Sequence, residues 1–128
     1  MTPAEYTAKV LSTESSDMAA IIHRLSNPDT VRLLHAAIGM ATEAGEILDQ
    51  IKKHIFYGKE LDKVNIMEEC GDALWYTTVG LDAVGFDLDT AMEVNIKKLE
   101  ARYPSGKFSA DDAINRDTDA ERKVLEDA

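Results

Sequence analysis

The sequence is poor in cysteine, proline and aromatic residues, and it contains no long apolar run. Cys70 is the only cysteine among 128 residues, so no disulfide can form within the chain, as expected in a reducing cytoplasm. No segment approaches the roughly 18 consecutive apolar residues that a membrane-spanning helix needs. The first residues, MTPAEYTAK, lack the basic and apolar regions of a secretory signal peptide. These absences predict a cytoplasmic protein that does not bind membranes.

Basic residues are also scarce relative to acidic ones. The chain has 14 Lys and Arg residues against 24 Asp and Glu residues, which gives a formal net charge of −10. Binding to a nucleic-acid backbone needs a basic face, so we expect no nucleic-acid partner. A small phosphate ligand is compatible with this charge, because a bound divalent cation reverses the local field and a few basic residues can gather at one site.

What the sequence does contain is helical periodicity with clear boundary signals. Asn27, followed by Pro28, is a strong helix start, and Gly58 and Gly85 are suitable helix ends. No segment shows the alternating pattern of a strand. The predicted fold class is therefore all-α, a helical bundle of three long helices plus short N-terminal helices. The predicted helices cover Thr2–Leu11, Asp17–Leu25, Pro28–Ile55, Asp62–Val84, and a span that begins at Asp87 or Asp89 and ends at Tyr103.

The last part of the chain differs from the rest in composition. Residues 1–104 form one predicted domain, which Pro104 closes, whereas residues 105–128 are polar and rich in Asp, Lys and Arg. We expect a weak helix at Asp119–Leu125, and we expect much of this tail to be ordered only by a partner or ligand. The tail is also a candidate for closing over an active site.

Two pairs of acids stand out on the long helices. Glu43 and Glu46 lie on the first long helix, and Glu69 and Asp72 lie on the second. Acids three residues apart lie on one side of a helix, and both pairs flank apolar stripes. Because a short connection joins the two helices, we expect antiparallel packing that brings the pairs together. Four carboxylates that meet would repel one another unless a cation joined them.

Spacing by itself does not decide between a metal site and a solvated acidic face. The chain has four acid pairs at this spacing, and chance gives about four in so acidic a sequence. The flanking residues are more informative. Gly39, one turn before Glu43, leaves room either for a ligand or for a close helix.

The third long helix carries an amide and two cations on one strip. Asn95, Lys98 and Arg102 follow one another at helical spacing beside apolar residues. Such a strip can bind phosphate and order an acidic site. The alternative is a solvated helix edge on which the basic side chains extend to water.

The order of the two acid pairs and the third-helix strip along the chain is typical of one protein family. Glu43-Ala-Gly-Glu46, then 22 residues, then Glu69-Cys-Gly-Asp72 resembles the ExxE and ExxD signature of MazG-like pyrophosphohydrolases, in the all-α nucleoside triphosphate pyrophosphohydrolase superfamily. The run from Asn95 to Phe108 is similar to the N-x-x-K-L-x-x-R-Y-P-x-G-K-F run of small, often phage-encoded members. Cys70 stands where bulky aliphatic residues are common in the family. The resemblance covers about residues 33–108.

The resemblance implies metal-dependent hydrolysis of (deoxy)nucleoside triphosphates to the monophosphate and pyrophosphate, in nucleotide-pool control or house-cleaning. It implies that Mg²⁺, with Mn²⁺ as a substitute, binds at Glu43, Glu46, Glu69 and Asp72, one of which can act as general base. It implies substrate-binding roles near the sugar or base for Tyr76 and Asn95, and at the phosphates for Lys53, Lys98, Arg102 and Lys107. It also implies a homodimer or homotetramer, which agrees with the expectation that three long and two short helices can leave one apolar stripe uncovered.

Two alternatives stay open. One is a non-catalytic helical interaction module whose acidic strip is only surface, and the other is a phosphoribosyl-ATP pyrophosphohydrolase. A ferritin-like di-metal site is excluded, because none of the three histidines has a glutamate three residues before it. We interpret Cys70 and Trp75 as core residues, and His35 as a surface residue near a helix start.

Overall fold

The computed structural model describes residues 1–127 and confirms the all-α class. Within that range it contains seven helices and no strand. None of these helices is both long and apolar enough to cross a membrane. In chain order the helices are α1 (Pro3–Leu11), α2 (Met18–Leu25), α3 (Pro28–Tyr57), α4 (Lys63–Ala83), α5 (Leu88–Arg102), α6 (Ala110–Ile114) and α7 (Thr118–Glu126).

The helix boundaries follow capping residues that the sequence supplies. The side chain of Asn27 accepts hydrogen bonds from backbone N–H groups in the first turn of α3. Gly58 ends the same helix with a φ of 65°, a left-handed conformation that costs glycine little. α3 therefore continues two residues past the predicted end at Ile55. Of the two candidate caps for α5, Asp87 is the one used.

α3 and α4 pack closely as an antiparallel hairpin. Ala36 is fully buried, and a Cβ on Gly80 would lie 3.3 Å from the Cβ of Ala36. One turn along, Gly39 faces the ring of Tyr76. Residue numbers that rise along α3 therefore meet numbers that fall along α4, which confirms the predicted direction. Small residues at the crossing let the two backbones approach each other.

Few side chains are buried within this single chain. Ala36 and Val94 are the only buried apolar side chains in residues 1–127. Trp75 and Cys70 are exposed, so their interpretation as core residues is wrong for the isolated chain. The reason is that α5 packs mainly on α7 and touches α4 only lightly. The large apolar residues left exposed on the long hairpin include Leu34, Ile38, Leu48 and Ile55 on α3, and Val64, Met67 and Leu74 on α4.

The tail is more ordered than its composition suggests. The predicted weak helix is present as α7, and α6 is a short helix that the sequence does not predict. The expectation that a partner or ligand must order this segment is wrong for α7, because α7 packs on α5. A buried carboxylate, Glu121, accepts hydrogen bonds from Arg102 and Arg116 and holds the two helices together. Ala128, the last residue of the predicted tail, lies outside the described residues.

Candidate active site

Carboxylates from α3 and α4 converge at one place. Glu43, Glu69 and Asp72 each present a carboxylate oxygen, and the three atoms lie within 4.8 Å of one another. Glu43 comes from the middle of α3, and the other two come from adjacent turns of α4. We call these three residues the carboxylate group. The predicted acid pairs therefore meet across the hairpin, with three of their four members in the group.

Glu69 is the most enclosed member of the carboxylate group, and a neighbouring amide orients it. Glu69 is 5% exposed, and the Nδ2 of Asn65 donates a hydrogen bond to its Oε1 at 2.6 Å. The two residues lie one turn apart on the same face of α4. The Oδ1 of Asn65 is buried and has no hydrogen-bond partner among the described residues. The site thus holds an additional, unsatisfied oxygen acceptor beside Glu69.

The carboxylate group carries negative charge that the chain does not compensate. Burial raises the pKa of Glu43, a hydrogen bond shared with Glu69 raises it further, and the charges of Glu46, Glu69 and Asp72 add to the effect. No lysine or arginine in residues 1–127 forms an ion pair with any of these four acids. A bound cation would supply the missing positive charge.

The donor atoms fit a hard divalent cation. Mg²⁺ prefers oxygen ligands and is usually held by carboxylates together with waters and substrate phosphates. The carboxylate group offers only oxygens and contains no histidine or cysteine. Mn²⁺ suits the same ligand type. Glu46 lies outside the group of three and is exposed, one turn from Glu43 along α3.

Three aromatic side chains lie beside the acids. The ring of Tyr76 packs edge-on against His35 and Trp75, with centroids 5.5 Å and 4.9 Å apart. Tyr76 comes one turn after Asp72 on α4, and Trp75 is 56% exposed. This aromatic cluster forms a partly open apolar surface next to the carboxylate group. Its planar faces suit the stacking of another planar ring.

Gly39 allows α4 to pack closely against α3 and does not leave room for a ligand. A Cβ at this position would lie 2.3 Å from ring atoms of Tyr76, closer than real contacts allow. Of the two interpretations that the sequence left open, the close helix is therefore correct. The absence of a side chain at Gly39 fixes how deeply Tyr76 sits between the helices.

Asn95 and Lys98 line a cavity of about 310 Å³ at the junction of α4, α5 and α7. Lys98 forms no ion pair within residues 1–127, so its charge is available to an anion. None of the four acids of the predicted metal site lines this cavity. The remaining wall residues are Leu81, Phe86, Thr90, Ala91, Val94 and Leu125.

Two of the other predicted phosphate ligands pair with acids of the chain, and the third lines a separate cavity. Lys53 pairs with Asp49 one turn earlier on α3, with Nζ and Oδ2 2.6 Å apart. Arg102 donates two hydrogen bonds to Glu121, at 2.9 Å and 2.7 Å. Lys107 lines a separate cavity of about 210 Å³ below the C-terminal end of α5. The single chain therefore does not gather these cations around the carboxylate group.

Sequence reasoning missed two contacts of this region. The sequence places Asn65 on the face of Glu69, and the four-residue spacing is the signal that could identify it as the orienting amide. The contact of Glu121 with Arg102 joins residues 19 apart in the chain, and no local pattern marks it.

Comparison with known proteins supplies one match. A family model described as the MazG nucleotide pyrophosphohydrolase domain matches residues 33–107. No curated protein and no solved structure matches the chain significantly. The matched span contains the four acids, the aromatic cluster, Asn95 and Lys98, and it stops before α6 and α7.

Proposed function

Since the chain belongs to the family of MazG nucleotide pyrophosphohydrolase domains, we propose that it hydrolyses (deoxy)nucleoside triphosphates to the monophosphate and pyrophosphate. Members of this family are typically metal-dependent. The observation that carries the proposal is the convergence of Glu43, Glu69 and Asp72, whose oxygens lie within 4.8 Å of one another. Uncompensated carboxylates beside an unsatisfied amide oxygen support Mg²⁺ as the cation, with Mn²⁺ as its substitute.

The chemistry is an in-line attack of water on the α phosphorus. The water oxygen forms a bond to that phosphorus, the bond to the bridging oxygen breaks, and pyrophosphate leaves with the electron pair. When bound, Mg²⁺ would neutralise the polyphosphate, lower the pKa of a bound water and stabilise the leaving group. We assign the proton of the attacking water to Glu46, because this carboxylate alone among the four stands outside the carboxylate group. Asn65 keeps Glu69 oriented throughout.

We propose that the substrate contacts the aromatic cluster, Asn95 and Lys98. The exposed ring of Trp75, next to Tyr76 and His35, offers a stacking surface for the base. Asn95 fits a hydrogen-bonding role towards the sugar, and the unpaired Lys98 fits a phosphate. Three further phosphate ligands are proposed on the family pattern alone, Lys53, Arg102 and Lys107.

A second copy of the chain would complete the core. The α3–α4 hairpin presents several large apolar side chains to solvent, which a monomer of this size seldom tolerates. We therefore propose a homodimer or homotetramer built on this hairpin. Leu48→Glu should dissociate it in a light-scattering measurement of molar mass. Ile114→Glu changes an exposed residue of α6 in the same way and should not; a monomeric wild-type chain contradicts this part of the proposal.

A substrate panel tests the activity. The purified chain is incubated with the common ribo- and deoxyribonucleoside triphosphates and phosphoribosyl-ATP, with Mg²⁺ or Mn²⁺, and pyrophosphate is measured. In ¹⁸O-labelled water the label should enter the monophosphate, because water attacks the α phosphorus. Release of inorganic phosphate, or label in the pyrophosphate, contradicts the proposed bond cleavage.

Matched variants connect the activity to the site. Glu46→Gln and Asp72→Asn should abolish turnover while helicity and melting temperature change little. Asp89→Asn, an exposed acid at the start of α5, is the control and should retain full activity. Full activity in both site variants contradicts the proposed active site, with Asp72 as a metal ligand and Glu46 as the general base. No turnover of any substrate, with no thermal shift from nucleotide plus metal, favours a non-catalytic interaction module.

A further inference from the structure

The carboxylate of Glu121 is held by two arginines in the same way. The Nε atoms of Arg102 and Arg116 donate to Oε1 at 2.9 Å and 3.1 Å, and their Nη2 atoms donate to Oε2 at 2.7 Å and 2.6 Å. Glu121 is 4% exposed. Both arginines therefore use the planar fork that binds carboxylate and phosphate groups in the same geometry.

This contact concentrates positive charge in an acidic protein. The chain carries a net charge of −10, yet here two guanidinium groups face one carboxylate. Lys98 lies one turn before Arg102 on α5 and forms no ion pair in the described chain. Without Glu121, both arginines would lack a counter-charge in a place that is partly closed to water, and this arrangement favours an incoming anion.

Glu121 and one lining residue of the neighbouring cavity belong to the same helix, α7. Leu125 lies one turn after Glu121 on α7 and lines the cavity that contains Asn95 and Lys98. Release of Glu121 would therefore free Arg102 and remove one wall of that cavity. The matched family span ends at residue 107, so α7 lies outside the matched residues while its Glu121 pairs with Arg102 inside them.

We propose that α7 is an intramolecular competitor, in which Glu121 occupies the position of a phosphoryl group at Arg102 and Arg116, and that a phosphate-bearing ligand binds there by displacing α7. The ligand class is a polyphosphate, either free pyrophosphate or the phosphate chain of a nucleotide. The inference rests on the proposed function only in regarding Arg102 as a phosphate ligand. It deepens that function by adding regulation of substrate entry.

Metal-free binding of inorganic pyrophosphate to the full-length chain tests this competition. Calorimetric titration in the presence of a chelator removes any contribution from a metal site. If the undocked state has a population of about 10% or less, Glu121→Gln should bind pyrophosphate at least about tenfold more tightly than wild type. Glu126→Gln neutralises an exposed acid of the same helix that pairs with Arg122, and it should bind like wild type. Arg102→Gln should abolish binding in both backgrounds.

Hydrogen exchange on the wild-type chain gives an independent result that needs no variant. Pyrophosphate should increase amide exchange in α7 while exchange in α5 stays constant or falls. Local unfolding of α7 in Glu121→Gln leaves the titration informative, because the competitor is absent in either case. Equal affinity in the two chains, no binding in either, or protection of α7 by pyrophosphate each overturns the proposal. None of these outcomes contradicts the proposed hydrolysis of triphosphates. Conversely, a chain that does not hydrolyse triphosphates should still bind pyrophosphate without metal if this proposal is correct.

Discussion

The ring of Tyr76 lies against the backbone of Gly39 at a distance that no side chain at position 39 permits. A Cβ there would lie 2.3 Å from the ring atoms Cδ1 and Cε1. Gly39 precedes Glu43 by one turn, and Tyr76 follows Asp72 by one turn. The contact therefore sets the level at which the acids of α3 face those of α4.

Gly39→Ala should destabilise the protein by up to about 2 kcal/mol. The added methyl overlaps the ring and costs about 1–3 kcal/mol, which the better helix propensity of alanine offsets by up to about 1 kcal/mol. The displaced α4 should also weaken activation by Mg²⁺. Urea unfolding and the Mg²⁺ dependence of turnover measure the two effects. Gly45→Ala, where a Cβ meets nothing within 4 Å, should be neutral or stabilising; equal behaviour of both variants contradicts the packing role.

Asn65→Ala should weaken metal binding without removing a metal ligand. Loss of the amide frees the Glu69 carboxylate to rotate, and orienting residues of this kind typically contribute 10–100-fold in metal affinity. The Mg²⁺ concentration for half-maximal activity should rise by about that factor, while kcat recovers at saturating Mg²⁺. Thr78→Ala, on an exposed part of α4, should leave the Mg²⁺ dependence unchanged. A fall in kcat that saturating Mg²⁺ does not restore contradicts a positioning role.

Glu43→Gln should stabilise the metal-free protein at neutral pH. Burial and neighbouring acids raise the pKa of Glu43 above its usual 4.5, so the native state disfavours its charged form. This penalty is fully present above the native pKa, and it disappears as the pH falls below the unfolded value. The stability difference between variant and wild type in chelator should therefore shrink towards pH 4. An unchanged difference across this range contradicts the raised pKa.

Mg²⁺ should reverse the stability difference, so that wild type becomes more stable than Glu43→Gln. Mg²⁺ at 100 times its Kd should stabilise wild type by about 2.7 kcal/mol and Glu43→Gln by less, because the variant has lost a ligand. Thermal melts with chelator and with Mg²⁺ measure both effects. Glu14→Gln changes an exposed acid between α1 and α2, and this control should melt like wild type both in chelator and in Mg²⁺. Equal stabilisation of wild type and Glu43→Gln by Mg²⁺ argues against Glu43 as a ligand.

The docking of α7 should be lost in acid. Hydrogen bonds from Arg102 and Arg116 lower the pKa of Glu121 far below its usual 4.5. A depressed pKa contributes stability that is present above the unfolded value and is lost as the pH falls towards the native value. Between about pH 4.5 and 2, wild type should therefore lose stability more steeply than Glu121→Gln. Urea unfolding across this range is the measurement, with Glu126→Gln expected to parallel wild type.

Much of the fold is determined by local sequence. Asn27, Gly58 and Asp87 determine where the long helices begin or end, because caps act through backbone groups within one turn. The faces that carry Glu43 and Glu69 likewise follow from helical periodicity. For these reasons the sequence alone predicted the all-α class, the long helices and the antiparallel meeting of the acid pairs.

Contacts between distant residues depended on the tertiary structure. The sequence could not show that Gly39 accommodates the ring of Tyr76, or that Glu46 stands apart from the other acids. The sequence predicted that Arg102 binds phosphate, whereas in the folded chain Arg102 pairs with Glu121, 19 residues away. Helix propensity and spacing describe one element at a time, and the partner of a charged side chain depends on how elements pack. The sequence by itself therefore determined which residues share a helix face, and the tertiary structure decided which faces and charges meet.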